Sequence, residues 1–470
     1  MKKRMWLLCA VALLLLIALC AMIIEKGKEM PQSTSYESEH YSTNSVQFLT
    51  DKTYVKNGER VMEQTLFTEM EAMIAEAEDV LVIDMFLFND DYNRAKGTYP
   101  HAAKRLTEAL LEKREQMPQL PITIITDNVN ELYGATNSTF FNALQQANIA
   151  VVRTNMEPMR DSNLLYSSVQ RAYFSWWPVS QNGFLPNAFN PDGGKGSIGA
   201  YLNMLHFKAN HRKVVLNDKR ALITSANLAH DGSSYHSNIG FIVEGAILND
   251  IYKTEMAVAK MSGYEMPAHT FEASEDGPYT VQLVTEGAIK KSILEAINTT
   301  TAKAHIQLGI FYISDRDVVQ ALKEAAKRGV TVQVIMDPNK DAFGLEKNGI
   351  PNRQVAAELV KTGVEVRWYD TQGEQYHSKL LLVTQGDTVT AIGGSANFTR
   401  RNIEDYNLET NVRIEMDATM PLAQSLLAYF LTLWTNEQGN YTTDYEQYED
   451  NTLWKKIVYR IQEWTGLSTF

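Results

Sequence analysis

The sequence predicts an α/β protein built from two similar halves, each a mainly parallel sheet covered by helices. Three observations carry that expectation. Short apolar runs of strand length alternate with runs at helical spacing along most of the chain, the pattern of strands joined by helical crossovers. The order of those runs occurs twice, at a spacing far too long for a short-period repeat. A His and a Lys two apart, opening an apolar strand with Ser-Ala-Asn after the next turn, stand once in each half.

At the start, Met1-Lys2-Lys3-Arg4 precedes an uncharged apolar run from Met5 to Ile24. At roughly 1.5 Å per residue this run can cross a bilayer core of about 30 Å. The basic flank places the N-terminus in the cytoplasm and the body outside it. Residues 1–24 are expected to be an uncleaved anchor in the cell membrane, because the run exceeds a usual signal core of about 7 to 15 residues. The alternative is a cleaved signal peptide and a secreted body. Both cysteines, Cys9 and Cys20, fall in this segment, so the body carries no disulfide or thiol chemistry. Residues 25–45 are polar, rich in Ser, Thr and Glu, and read as a tether.

The first half is expected over residues 46–270. Val61, Leu66, Phe67, Met70, Met73 and Ile74 lie at helical spacing between Gly58 and Glu78, and Val80 to Phe88 is an apolar run broken only by Asp84. Helix and strand then alternate: His101 to Gln116, Ile122 to Asp127, Ser138 to Ala147, Ile149 to Thr154. The second half, residues 271–436, repeats the order. It gives a helix over Ala288 to Asn298, a strand over Ala304 to Ile313, a helix from Asp315 to Arg328 ending at Gly329, and a strand over Val330 to Asp337. A helix from Arg353 to Lys361 and a strand from Val364 to Tyr369 follow.

Asp127 and Asp337 hold matching places, yet His211 follows the first by 84 residues and His377 the second by 40. The first half therefore holds an insertion of about 44 residues, placed at about 155–203. It contains Tyr166, Tyr173, Phe174, Trp176, Trp177, Phe184 and Phe189. Such aromatics suit a membrane interface or an acyl chain, with a self-packed loop as the alternative. Residues 437–470 form a tail whose Leu453, Trp454, Ile457, Val458, Ile461 and Trp464 share one helix face. Docking of that face on the body is the expectation, and a bilayer surface the alternative.

Hydrophobic residues make up 44% and charged residues 21%, a globular balance, and the net charge of -12 disfavours sequence-independent binding of nucleic acid. The chain has no HExxH or compact His/Cys ligand set and no GxxxxGK[ST] loop, so neither a metal nor another cofactor is expected.

The first motif copy is His211-Arg212-Lys213 with Asp218, followed by Thr224-Ser225-Ala226-Asn227. The second is His377-Ser378-Lys379 with Thr384 at the position of Asp218, then Gly394-Ser395-Ala396-Asn397. This pairing resembles the phospholipase D superfamily, whose hallmark is a duplicated HxKxxxxD with a downstream GSxN. The copies depart from it at Thr224 and at Thr384, which has Asp387 three residues on. The resemblance covers Gly58 to Trp434 in layout and is specific only in the paired motifs.

It implies that the two motifs face each other across the joint of the halves in one active site, nearest the phospholipase D and cardiolipin synthase branch. His211, Lys213, Asn227, His377, Lys379 and Asn397 would be catalytic, with His211 as nucleophile, His377 as general acid and base, and the Lys and Asn pairs on the phosphate. Asp218, Ser225, Ser395 and Glu409 would support them. Glu409 stands where similar enzymes orient an imidazole, and Gly240 of Asn238-Ile239-Gly240 is its expected counterpart. Asp218 reads as a turn residue, and His206 and Lys208, another HxK, as pocket wall or loop. The implied activity is hydrolysis or exchange of phospholipid head-group esters through a phosphohistidine, at a membrane. Alternatives are cardiolipin synthesis, an endonuclease of the same superfamily, and an inactive phosphate- or lipid-binding protein. Oligomeric state is not legible.

Overall fold

The computed structural model describes residues 2–89, 100–190, 193–229, 235–272, 276–342 and 345–468. Among these, two mixed sheets lie face to face. The first runs Glu59–Glu63, Val46–Lys56, Asn238–Glu244, Arg220–Thr224, Lys213–Asn217, Leu81–Met85, Ile122–Thr126, Ala150–Arg153. The second runs Tyr41–Thr43, Tyr279–Thr285, Thr410–Asp417, Thr388–Gly394, Lys379–Gln385, His305–Ile310, Thr331–Met336, Glu365–Tyr369, Thr442–Asp444.

Inward residues of both sheets form one shared core: Val214, Leu216, Ile223, Ile239 and Phe241 meet Leu380, Leu382, Ala391, Val412 and Ile414. Helices Ile247–Met261 and Pro421–Thr435 pack their apolar faces into this core as well. Alternation along each strand sends the intervening side chains outward. Val215, Leu222 and Ile242 meet Leu66–Glu76, Ala102–Gln116 and Thr139–Gln146. Leu381, Val383 and Ile392 meet Gly287–Asn298, Arg316–Lys327 and Asn352–Val360. The order is helices, sheet, sheet, helices.

The expectation of mainly parallel sheets is corrected. Within the two large sheets, parallel pairing is confined to three strands in each half, Leu81–Met85 with Ile122–Thr126 and Ala150–Arg153, and His305–Ile310 with Thr331–Met336 and Glu365–Tyr369. Helices Ala102–Gln116 and Thr139–Gln146, and Arg316–Lys327 and Asn352–Val360, cross over between these neighbouring strands. The motif strands return as tight antiparallel hairpins, which need no crossover.

The expected helix from Gly58 is also shorter at its start. Asn57 and Gly58 both take positive φ, 53° and 81°, in a two-residue hairpin turn, so Glu59–Glu63 pairs with Val46–Lys56 and the helix begins at Leu66. Within the span read as a tether, Tyr41–Thr43 pairs with Tyr279–Thr285, and Tyr36 N–H donates to Thr285 Oγ1 at 2.8 Å. The tail adds Thr442–Asp444 to the other edge of the same sheet.

The apolar helix Lys2–Lys26 is long enough to cross a membrane, with a mean hydropathy of 3.2 in its most apolar window. It packs on Leu164–Tyr173 of the insertion: Tyr173 Oη donates to Leu14 O, and Arg171 meets Glu25 at 3.2 Å.

Candidate active site

Each motif strand begins beside a backbone strap from the other half. His211 N–H donates to Leu408 O and His377 N–H to Ser237 O, both at 2.9 Å. Behind them the matched aspartates fix the preceding residues, Asp127 Oδ2 accepting from Asn210 N and Asp337 Oδ2 from Tyr376 N, each at 2.8 Å. The two imidazoles thereby line one cavity of about 270 Å³, together with Asn227 and Asn397.

The pairing of parts is close to two-fold. Lys213 Nζ donates to His211 O at 2.8 Å, and Lys379 Nζ to His377 O at 2.6 Å. Each ammonium sits over a phenyl ring, Phe86 at 5.1 Å and Phe311 at 5.2 Å, and the same rings flank the imidazoles at 4.8 and 4.9 Å. The side-chain oxygens of Asn227 and Asn397, on the turns after the hairpins, are buried and have no hydrogen-bond partner among the described residues.

The symmetry breaks at the groups that hold the rings. His211 Nδ1 lies 2.8 Å from a Glu409 oxygen, whereas His377 Nδ1 lies 3.2 Å from Asn238 Oδ1. Each orienting group comes from the opposite half. Glu409 is fully buried and also accepts from Ser395 Oγ and Asn402 Nδ2. Ser225 makes the matching contact to Asn238 Oδ1 at 3.3 Å.

The expected counterpart of Glu409, Gly240, is therefore corrected to Asn238. Ser395 N–H donates to Thr410 O and Ser225 N–H to Ile239 O, which aligns 409 with 238. The sequence offered no carboxylate there to fix the register. His236 was missed altogether. Its ring stands 5.7 Å from that of His377, it lines the cavity, and its Nδ1 accepts from Gln375 N at 3.0 Å.

Thr224, which replaces the usual Gly, donates to Ile239 O at 2.6 Å and accepts from Ala226 N at 3.1 Å. Gly394 takes φ 155°, and a Cβ there would sit 2.3 Å from Thr410 O. Asp218 is not brought to the cavity. It lies past the far end of its strand, accepting from the N–H groups of Glu78 and Asp79 at 2.7 and 3.2 Å. Thr384 likewise lies at the far end of its strand, half-buried beside the hairpin turn and opposite His305. Lys208 lines the cavity wall and pairs with buried Asp161 at 2.7 Å, and His206 accompanies it through Gln170 at 2.9 Å.

Behind His211 runs a second shared element. Arg212, fully buried, meets Glu255 at 3.2 Å and Glu286 at 2.7 Å. Glu286 Oε1 also accepts from Glu409 N at 3.0 Å, and its Oε2 from Ser35 N at 2.7 Å. Glu286 holds φ at 45°, an uncommon backbone for a non-glycine residue.

Burial pushes both imidazoles and both ammonium groups toward their neutral forms. Burial lowers His211 to about 4, with Lys213 and Lys379 opposing the help from Glu409. Burial lowers Lys213 to about 7. Burial, then Lys379 and His236, hold His377 well below its ordinary value, and burial with Lys213 does the same to Lys379. Glu409 resists burial and stays below the ordinary carboxylate range, because His211 and Lys213 stabilise its charge.

Residues 293–434 match the family model described as "Cardiolipin synthase, PLD-like domain". The chain is 26% identical over 229 residues to a probable cardiolipin synthase, YwiE, of Bacillus subtilis, covering 46% of this chain and 44% of that protein. It is 24% identical over 271 residues to cardiolipin synthase A of Yersinia pseudotuberculosis, covering 53% and 52%. The chain thus spans about half the length of the curated relatives it matches. Among solved structures, phosphatidylserine synthase of Haemophilus influenzae is similar with a TM-score of 0.57 at 12% identity, covering 92% of this chain and 96% of that one. The fold is thus similar to that of phosphatidylserine synthase, and the resemblance read from the paired motifs is matched over residues 293–434 by the PLD-like domain model.

Proposed function

We propose that this chain is a phospholipase D-type phosphatidyltransferase that cleaves a phospholipid head-group ester through a phosphohistidine and passes the phosphatidyl group to an alcohol. The observation that carries this reading is the meeting of His211 and His377 in one cavity lined also by Asn227 and Asn397, with Lys213 and Lys379 behind the rings, each donating to the backbone carbonyl of its own His. A phosphodiester supplies the negative charge that such a pocket stabilises, increasingly so as its oxygens gain charge in the transition state.

His211 is the nucleophile. Its Nδ1 is held by Glu409, leaving Nε2 to attack phosphorus while the carboxylate supports the positive charge that develops on the ring. As the N–P bond forms, the P–O bond to the leaving alcohol breaks, and that oxygen takes a proton from His377. An acceptor hydroxyl then attacks phosphorus, gives its proton to His377, and the N–P bond breaks. Lys213, Lys379, Asn227 and Asn397 hold the phosphate oxygens. The phosphatidyl group of the relatives' named activity makes phosphatidylglycerol the preferred acceptor and cardiolipin the product, with water a minor competitor. The apolar helix Lys2–Lys26 keeps the enzyme at the membrane, with its body outside the cytoplasm.

Wild type and the His211→Ala, His377→Ala and Glu409→Gln variants, incubated with labelled phosphatidylglycerol vesicles, would be resolved by lipid chromatography. Wild type yields cardiolipin and glycerol. Either Ala variant abolishes product, and Glu409→Gln slows turnover about 10²–10⁴-fold. Full activity in either His variant would exclude the mechanism, and phosphatidic acid as the main product would make the chain a hydrolase.

A further inference from the structure

The C-terminal helix Leu453–Thr465 was expected to dock its apolar face on the body, and it does not. Leu453, Trp454 and Trp464 are 73, 58 and 77% exposed, and Ile457 and Ile461 are exposed too. Only Tyr459 and Thr465 are buried, Tyr459 receiving Arg316 Nη1 at 2.8 Å and donating to Ser314 O at 3.2 Å. The helix is therefore fixed to the second half by its polar side while its apolar stripe faces out. Lys455, Lys456 and Arg460 stand on the same helix.

Its place matters. At one end Gly466 packs on the backbone of Ser162, at the start of the insertion, and Trp464 O accepts from Arg400, beside the cavity residue Arg401. At the other end Lys455 donates to Asn348 O, next to the cavity residue Lys347. The insertion borders the cavity from the first half through Ala188 and Phe189, and Met204 and Phe207, just past its end, continue that wall. It too turns apolar groups outward: Trp176 is 71% exposed, and Trp177 and Phe184 are exposed. The apolar helix Lys2–Lys26 packs on this same insertion.

We infer that the outward stripe of Leu453–Thr465 and the exposed aromatics of the insertion form one interfacial surface that lies on an anionic phospholipid bilayer and holds the cavity against the head groups. Trp and Ile in the head-group boundary with Lys and Arg at its edge is the arrangement of an interfacial helix. The cations answer the charge of the lipid, which the net charge of -12 on the whole chain would otherwise oppose. Continuity with Lys2–Lys26 sets the bilayer on this side. The inference adds a docking face to the phospholipid reading above, and its test does not require the transfer chemistry.

The full-length chain is reconstituted in nanodiscs of phosphatidylglycerol and phosphatidylcholine carrying bromine near the head of the acyl chain, and Trp emission is compared with unbrominated discs. Wild type is expected to be quenched. The paired substitutions Trp454→Phe/Trp464→Phe and Trp176→Phe/Trp177→Phe, conservative at exposed positions, should each remove a distinct share of that quenching and together most of it. Quenching unchanged by either pair would overturn the surface. So would a dimer in sedimentation that dissociates on Trp454→Glu/Trp464→Glu, which would make the stripe an interface between copies.

Discussion

Asn238 and Glu409 differ by little more than an amide for a carboxylate, and that difference sets the two rings apart. Glu409 favours a charged His211, whereas Asn238 orients His377 without stabilising its charge. The paired motifs showed which residue types do the chemistry, and Glu409 was legible from its place after the Ser-Ala-Asn hairpin. Asn238 and His236 were not, because an amide and a third His carry no pattern until the strands fix their register. The depressed His211 and Lys213, at about 4 and 7, give a prediction with a defined sign. A tetrahedral oxyanion restores their charge and raises both values, so binding takes up protons between about pH 5 and 8, and affinity falls as pH rises. Calorimetric titration of tungstate in two buffers of different ionisation heat should show net proton uptake. Proton release would contradict the placement of the anion among these groups.

Asp218 belongs to the scale of the hairpin. It accepts two N–H groups from the loop entering Leu81–Met85 and stands a strand's length from His211. Asp218→Ala should lower stability by about 1–2 kcal/mol, read from urea unfolding, while kcat stays within about two-fold of wild type. A collapse of kcat with unchanged stability would assign it to the chemistry instead. The same placement puts Thr384 of the second copy at the strand end away from His377. Strands and helices were legible from period and caps, such as Ser138 and Asp315 at their helix starts. The start of the helix near Gly58 was not, since Val61 fits a helical stripe as well as a strand and only the Asn57-Gly58 turn decides. The stripe of Leu453–Thr465 was legible as amphipathic, but its outward direction depends on Tyr459 finding Arg316 and Ser314.

Across the whole molecule, the two sheets bury their inner faces against each other in one apolar core, and the straps that hold His211 and His377 cross between halves. Neither half alone keeps the inner face of its sheet covered or its cavity complete, so thermal unfolding followed by far-ultraviolet circular dichroism and by Trp emission should give one coincident transition. Two separated transitions would show the halves to be independent. The sequence by itself determined the doubled α/β order, the apolar N-terminal helix and the paired His, Lys and Asn residues that the fold brings together, since period and residue type are local properties of the chain. Which ring receives a carboxylate, which amide opposes it and which apolar stripe stays in water were decided only by the tertiary structure. Those outcomes depend on contacts between residues more than a hundred positions apart, set by how one sheet lies on the other.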